Sequence, residues 1–323
     1  MAFRRWFFAF LAAWVVAPAA PAAPAGGLDL LSPIGGVGLL YPQPPLHSQP
    51  KFYAWTAPGP NWRIAQWNIP GGELSPFTSS QSGGATIYSS ISAEASVTII
   101  QSGAGTEVDL AQTGTVLPCE TASGKPRESD LFVTPNPAHP SPPGVPGLTL
   151  SGKNSPALAA MASLRLTATL SIVEGSNMPA TGCSVNQAGT LVGIVLSDTA
   201  NAQPQTMFYQ LAFSKLCGQG SAGWQAQCAN IPAQMAYYAE TNPYGAVDFF
   251  PTLGQSLMRG SEARPIDVDL LPRLDAAIES GPAGIDNNPA HWVIGGVYFG
   301  QHIWGDTALR SHWRNLHLVE TLN

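Results

Sequence analysis

The segment "SLRLTATLSIV", residues 163–173, alternates between apolar and polar side chains. A period of two turns one set of side chains toward a core and the other toward solvent, which is typical of a half-buried β-strand. The segment "TLVGIVLS", residues 190–197, is apolar on both faces and predicts a strand in the centre of a sheet. The predicted inward side chains of the first strand are Leu164, Leu166, Leu170 and Ile172, and the outward ones are Arg165, Thr167, Thr169 and Ser171.

Composition extends this interpretation to the whole chain. Only 11% of the 323 residues are charged, against about 25% in an average protein. The 33 glycines and 30 prolines favour short strands joined by many turns. Helix is predicted only in "SPALAAMASL" (155–164), with Ser155 as N-cap, and in "DLLPRLDAAIESG" (269–281). The fold class we predict is all-β, an antiparallel β-sandwich of the jelly-roll type with one or two short helices.

The N-terminal sequence predicts export. Arg4 and Arg5 precede an apolar run over residues 6–16 and then a series of small residues, so residues 1–25 are expected to be a signal peptide. Residues 26–50 form a Pro/Gly-rich leader that we expect to be irregular. Residues 51–323 are expected to form a single domain with a Pro-rich loop at 134–147. The predicted location is secreted or periplasmic.

The cysteines are consistent with an oxidising compartment. Their even number favours two disulfides. A bridge between Cys217 and Cys228 around a Gly-rich loop would leave Cys119 with Cys183, which is one of three pairings that four cysteines allow. Zinc is the alternative, but no C-x-x-C spacing supports it.

Charge and motifs exclude several functions. A net charge of −6 with only 14 Lys and Arg argues against nucleic acid, and no polybasic patch suits an anionic membrane. The sequence contains no phosphate loop, no H-E-x-x-H and no G-x-S-x-G. We therefore expect neither a cofactor nor a bound metal.

The segment "VYFGQHIWGDTALRSHWRN", residues 297–315, predicts a hairpin that carries the binding surface. With the turn centred on Thr307, His302 faces His312 and Trp304 faces Arg310. Aromatic rings with polar edges suit the flat faces and hydroxyls of sugars. Ordinary core packing with a cation–π pair is the alternative. The predicted ligand-binding residues are Trp292, Tyr298, His302, Trp304, Arg310, His312 and Arg314.

Cleavage of a glycan would require catalytic carboxyl groups in addition to a binding surface. The candidates for catalysis are Glu240, Glu107 and Glu73, because glycoside hydrolysis uses paired carboxyl groups. Glu107 and Asp109 alternate onto one face of a predicted strand. This strand resembles the E-x-D-x-x-E active strand of laminarinase-type glucanases, with Gln112 in place of the last carboxylate.

Three segments resemble the concanavalin-like jelly-roll sandwiches of secreted lectins, glucanases and polysaccharide lyases. They are "SLRLTATLSIV", "TLVGIVLS" and "WVIGGVYFGQHIWGDTALRSHWRNLHLVE" (292–320). The resemblance implies a curved sheet with a groove for carbohydrate. We expect an exported protein that binds a polysaccharide or glycan. The alternatives are a glycoside hydrolase or polysaccharide lyase of the same fold, and a cell-envelope or adhesion protein that binds another protein.

Overall fold

A computed structural model describes most of the chain. The described residues are 27–31, 37–40, 62–67, 69, 74–75, 77–114, 128–135, 156–177, 187–200, 205–217, 230–239, 242–255, 263–279, 281, 285–304 and 307–323.

Strands dominate the described residues, as the sequence predicts. In chain order the strands are β1 (Leu28–Asp29), β2 (Val37–Leu40), β3 (Trp62–Trp67), β4 (Thr78–Ser82), β5 (Ala85–Ile91), β6 (Ala95–Ser102), β7 (Gly105–Thr113), β8 (Glu128–Pro135), β9 (Met161–Asn177), β10 (Gln187–Asp198), β11 (Gln205–Cys217), β12 (Asn230–Ala239), β13 (Asn242–Gln255), β14 (Arg264–Asp269), β15 (Trp292–Trp304) and β16 (Thr307–Leu322). One α-helix, α1 (Leu271–Glu279), and two 3-10 turns, Leu158–Ala160 and Pro289–His291, complete the described elements.

The strands form two sheets that face each other, which confirms the all-β sandwich. Sheet A has the order β14-β9-β16-β7-β6-β5-β4, with β1 added at the side of β16. Sheet B has the order β13-β12-β11-β10-β15-β8-β3-β2. Each sheet contains a four-stranded antiparallel meander, β4 to β7 in sheet A and β10 to β13 in sheet B. One continuous core of buried apolar side chains joins the sheets.

The inward side of the alternation in β9 is confirmed, whereas Thr167, which was predicted to face solvent, is buried. All four side chains predicted to face the core, Leu164, Leu166, Leu170 and Ile172, are buried. They pack against residues of sheet B such as Ile194 and Leu211 within the same core. Burying apolar area in this way is the main source of stability in a sandwich of this kind.

The helical predictions have opposite outcomes. The segment 269–281 contains α1, whose buried side chains include Leu271, Leu274 and Ile278. The Asp269 carboxylate accepts hydrogen bonds from the amides of Leu271 (3.1 Å) and Leu164 (3.0 Å), so it joins the start of α1 to β9. The segment 155–164 was predicted as a helix and this is wrong: after one 3-10 turn the chain becomes strand β9 at Met161.

Part of the predicted leader is ordered into the sandwich, which corrects the expectation of an irregular segment. β1 pairs with the end of β16, and Leu30 and Leu31 are buried in the common core. β2 pairs in parallel with β3. Backbone amides and carbonyls need hydrogen-bond partners, and β1 supplies partners for those at the end of β16 with which it pairs. The predicted signal peptide, most of the Pro-rich loop, and Cys119, Cys183 and Cys228 lie outside the described residues.

Glu320 is a buried carboxyl beside β1. It lies in β16 opposite Leu28 of β1 and Leu164 of β9, and it is 3% exposed. Burial raises the pKa of Glu320 to about 7, because the charged form is poorly solvated there. The folded protein therefore favours the neutral carboxyl.

This pKa predicts the pH dependence of stability. The unfolded carboxyl ionises near its ordinary value of 4.5 and the folded one near 7, so stability falls as the pH rises between these values, and the loss persists above 7. Glu320→Gln keeps the shape and removes the charge. We expect the variant to be more stable than the parent at about pH 8, by up to about 3 kcal/mol, and to match it near pH 4. Urea denaturation at both pH values measures this, and equal parent and variant stabilities at pH 8 would contradict it.

Candidate functional site

The predicted hairpin does not pair as expected. β15 belongs to sheet B and β16 to sheet A. His302 lies opposite Gly189 and Asp130, whereas His312 lies opposite Ser171 and Asp109. The prediction that His302 faces His312 is therefore wrong. The chain passes from one sheet to the other between Trp304 and Thr307, so the two strands lie on opposite sides of the core.

Trp292 was predicted on the binding surface, but its side chain is fully buried. A β-bulge explains the difference. Gly296 pairs with Val195 and Ile294 pairs with Leu196, so Gly295 is an extra residue that shifts the alternation. Trp292 consequently shares the inner face with Val297 and Phe299. Its indole Nε1 donates to the backbone oxygen of Asp286 at 2.9 Å.

The remaining predicted binding residues are divided between the two outer faces. Alternation with the buried Phe299 and Ile303 places Tyr298, His302 and the backbone position of Trp304 on the outer face of sheet B. Alternation with the buried Leu309 and Trp313 places Arg310, His312 and Arg314 on the outer face of sheet A. The seven predicted residues therefore do not form one surface.

On sheet B, Tyr298 lies flat over a glycine. A Cβ atom built on Gly193 would be 2.0 Å from the Tyr298 ring, so only glycine fits beneath it. The ring packs edge-to-face against Phe132, with centroids 5.0 Å apart, and its hydroxyl accepts a hydrogen bond from Gln210 Nε2 at 2.8 Å. These contacts hold Tyr298 in place as part of a small outer apolar cluster with Leu191.

On sheet A, four charged or ionisable side chains meet on β7 and β16. We call Glu107, Asp109, Arg310 and His312 the charged cluster. Arg310 Nε donates to Asp109 Oδ1 at 2.9 Å, and His312 Nε2 lies 3.1 Å from Glu107 Oε2. His312 Nδ1 lies 3.5 Å from Asp109 Oδ2, so both ring nitrogens face carboxylates. The cluster combines Glu107, a candidate for catalysis, with Arg310 and His312, which were predicted to bind ligand.

The charged cluster keeps Asp109 ionised. Partial burial alone would raise the pKa of Asp109, but hydrogen bonds from His312 and Arg310 and the charge of Arg310 hold it below its usual value. An ionised carboxylate only accepts hydrogen bonds. Asp109 therefore suits a role in binding hydroxyl or amine donors and does not suit proton donation at neutral pH.

Arg314 extends the charged cluster along β16. It lies opposite Glu107 in the pairing of β16 with β7, and opposite Thr169 in the pairing with β9. Within the described ranges, Arg314 takes part in none of the ion pairs of the protein. Its guanidinium is partly exposed and offers up to five N–H donors beside the cluster.

The resemblance of β7 to a glucanase active strand is limited by the direction of Gln112. Gln112 is 1% exposed and faces the core, where its Nε2 donates to Ser129 Oγ at 3.1 Å. Glu107 and Asp109 face outward on the same strand. A third catalytic position at residue 112 would therefore lie on the wrong side of sheet A. The other two candidates for catalysis, Glu73 and Glu240, lie outside the described residues.

Sequence reasoning missed a second His–Asp pair. His291 Nδ1 lies 2.6 Å from Asp286 Oδ2, and its Nε2 lies 3.2 Å from Asn288 Nδ2. The Asn288 Oδ1 accepts from the amide of Ala290 at 3.1 Å, which fixes the orientation of the amide. The short spacing in "DNNPAH" could have indicated this turn. Both imidazole nitrogens are occupied, so this pair holds the loop before β15.

The described part of the chain has neither a cluster of metal-ligating side chains nor a helix that could span a membrane. It contains no group of three or more His, Cys, Asp or Glu side chains that could hold a metal ion. None of the described helices is long and apolar enough to cross a membrane.

Two comparisons with known proteins give no independent indication of function. A search against models of protein families finds no match, and a search of curated proteins finds none either. The charged cluster and Arg314 are therefore the features of the molecule from which function is inferred.

Two substitutions distinguish core from surface in this region. Trp292→Ala removes a fully buried indole, and we expect it to cost about 3–5 kcal/mol of unfolding free energy. Arg310→Ala removes one side of an ion pair whose guanidinium is 42% exposed, and we expect a loss of about 1 kcal/mol or less. Urea denaturation of both variants measures the difference. Similar losses in the two variants would show that the assignment of inner and outer faces is wrong.

Proposed function

We propose that the protein is an exported polysaccharide- or glycan-binding β-sandwich whose ligand contacts the charged cluster and Arg314 on the outer face of sheet A. The observation that carries this proposal is the cluster itself: two carboxylates, an imidazole and a guanidinium on neighbouring strands of a chain that is only 11% charged. The predicted signal peptide and disulfides belong to the same proposal, since both fit an oxidising compartment.

The chemistry of the cluster suits hydroxyl-rich ligands. Carboxylate oxygens of Glu107 and Asp109 can accept hydrogen bonds from sugar hydroxyls, while Arg314 can donate to ring and hydroxyl oxygens. Side chains on adjacent strands are held by the sheet and by the pairs Arg310–Asp109 and His312–Glu107. Little side-chain freedom remains to be lost on binding, which favours affinity.

The hydrolase alternative receives less support from the same geometry. A general acid must carry a proton, and the contacts that lower the pKa of Asp109 oppose this. A retaining hydrolase also needs a pair of carboxyl groups of which one is protonated and one acts as nucleophile. Glu107 and Asp109 instead share one neighbour, the imidazole of His312.

The adhesion alternative predicts a flat exposed apolar patch. The exposed large apolar side chains of the described residues are Ile91, Val173 and Leu322. They belong to three strands, and Val173 and Leu322 lie toward opposite ends of the paired strands β9 and β16. This scattered arrangement favours the polar site over an apolar interface.

Native gel electrophoresis through gels that contain single polysaccharides tests the proposal. We expect one or more polysaccharides to retard the protein, and we expect His312→Ala and Arg314→Ala to reduce the retardation at least tenfold in apparent affinity. The matched control is Arg165→Ala, which removes an arginine from the exposed pair with Asp267 on the same sheet and should not change retardation.

The possible outcomes of this experiment distinguish the proposed site from its alternatives. Retardation that is lost in the two cluster variants and kept in the control supports the site. Retardation that is unchanged in every variant places glycan binding elsewhere on the molecule. Unchanged mobility in all gels contradicts the proposed function. Release of shorter sugars from a retarding polysaccharide would favour the hydrolase or lyase alternative.

A further inference from the structure

Strand β4 is a free edge of sheet A. All five of its residues, Thr78–Ser82, are exposed, although the strand pairs fully with β5 on its other side. The two strands are joined by Gly83 and Gly84, whose φ angles of 56° and 80° give the tight turn of a two-residue hairpin. The β4 edge is therefore exposed to solvent.

The hairpin determines which backbone groups of β4 point outward. In a two-residue hairpin the flanking residues, here Ser82 and Ala85, form a hydrogen-bonded pair, and every second residue repeats this. Ser82, Ser80 and Thr78 thus direct their amides and carbonyls toward β5. The amides and carbonyls of Ser79 and Gln81 point away from the sheet and are available to another strand.

The two edges of sheet A differ in how they are protected. The opposite edge strand, β14, contains Arg264, Pro265, Asp267 and Asp269, and both charge and proline discourage a further strand from adding. The segment 77–91, which contains β4, has no charged residue and no proline. Nothing in β4 itself prevents addition of a strand.

We propose that β4 pairs with β4 of a second copy of this chain, antiparallel about a two-fold axis through Ser80. In this register Ser79 lies opposite Gln81 of the other copy, so the outward groups of both residues meet and form four backbone hydrogen bonds. Ser80 lies opposite its own equivalent, and Thr78 lies opposite Ser82. Both copies contribute the same strand, β4, to the interface, as two-fold symmetry requires. The pairing brings no like charges together.

The chemistry of β4 also sets the strength of this contact. Its side chains are Ser, Thr and Gln, so pairing adds backbone hydrogen bonds and buries little apolar surface. A five-residue edge falls below the roughly 1,000 Å² of total area that is typical of a stable interface. The dimer is therefore reversible and depends on protein concentration. It does not depend on the glycan site, which lies on other strands.

Sedimentation velocity over a concentration series tests the dimer. We expect the parent to shift from monomer toward dimer as its concentration rises. Ser80→Lys places two lysines about 4.5–5.5 Å apart at the two-fold axis and should raise the dissociation constant at least tenfold. The control Ser96→Lys makes the same change on β6 of the same sheet, away from the edge, and should leave association unchanged.

A cross-linking experiment gives a positive test in the same register. Ser80→Cys brings two thiols together across the axis, and we expect a covalent dimer on a non-reducing gel under oxidising conditions. Ser96→Cys should give no covalent dimer on the same gel. A parent that is monomeric at every concentration, together with no cross-linking of Ser80→Cys, would overturn the proposal. Association that persists in Ser80→Lys would also overturn it, because another surface would then be responsible.

Discussion

The packing of Trp313 between the two sheets is the contact on which the sandwich depends. Its buried indole lies edge-to-face against Phe299 and Phe213 of sheet B, with ring centroids 5.4 and 6.0 Å away. The indole Nε1 donates to Ser311 Oγ at 3.1 Å, and that hydroxyl donates to Gln301 Oε1 at 2.7 Å. Buried polar groups are costly unless each finds a partner. The Ser311–Gln301 hydrogen bond therefore fixes β16 above β15, in addition to the apolar contact.

The position of Trp313 also determines where the charged side chains lie. Because Trp313 and Ser311 face inward, alternation turns Arg310, His312 and Arg314 outward. The same rule applies to β7, where the inward Val108 and Leu110 leave Glu107 and Asp109 on the outer face. The register between β16 and β7 then sets His312 opposite Asp109. The core and the charged cluster are thus consequences of one alternation on two paired strands.

Alternation explains both what could be predicted from the sequence and what could not. The inward side of β9 and the helix within 269–281 follow from local sequence, and both are confirmed. The extra residue at Gly295 reverses the faces of β15, and Asn315, with φ of 52°, marks a similar shift in β16. A bulge changes the phase of the alternation, and hydrophobic spacing alone does not locate the extra residue. The pair Arg310–Asp109 joins residues 201 positions apart, so their alternation on each strand was visible while their contact was not.

The failed hairpin explains why the predicted binding residues do not form one aromatic surface. Consecutive strands with a short connection are expected to pair, but here β15 belongs to sheet B and β16 to sheet A. Trp292 and Trp313 enter the core, whereas Tyr298 lies on the outer face of sheet B. Exposed ion pairs contribute little to stability, so the charged cluster is not required to hold the strands together. Arg314 is partly exposed and lies opposite Glu107, and it contributes still less to holding the strands together. The charged cluster and Arg314 therefore form a polar surface on the outer face of sheet A, in a chain of which only 11% of the residues are charged.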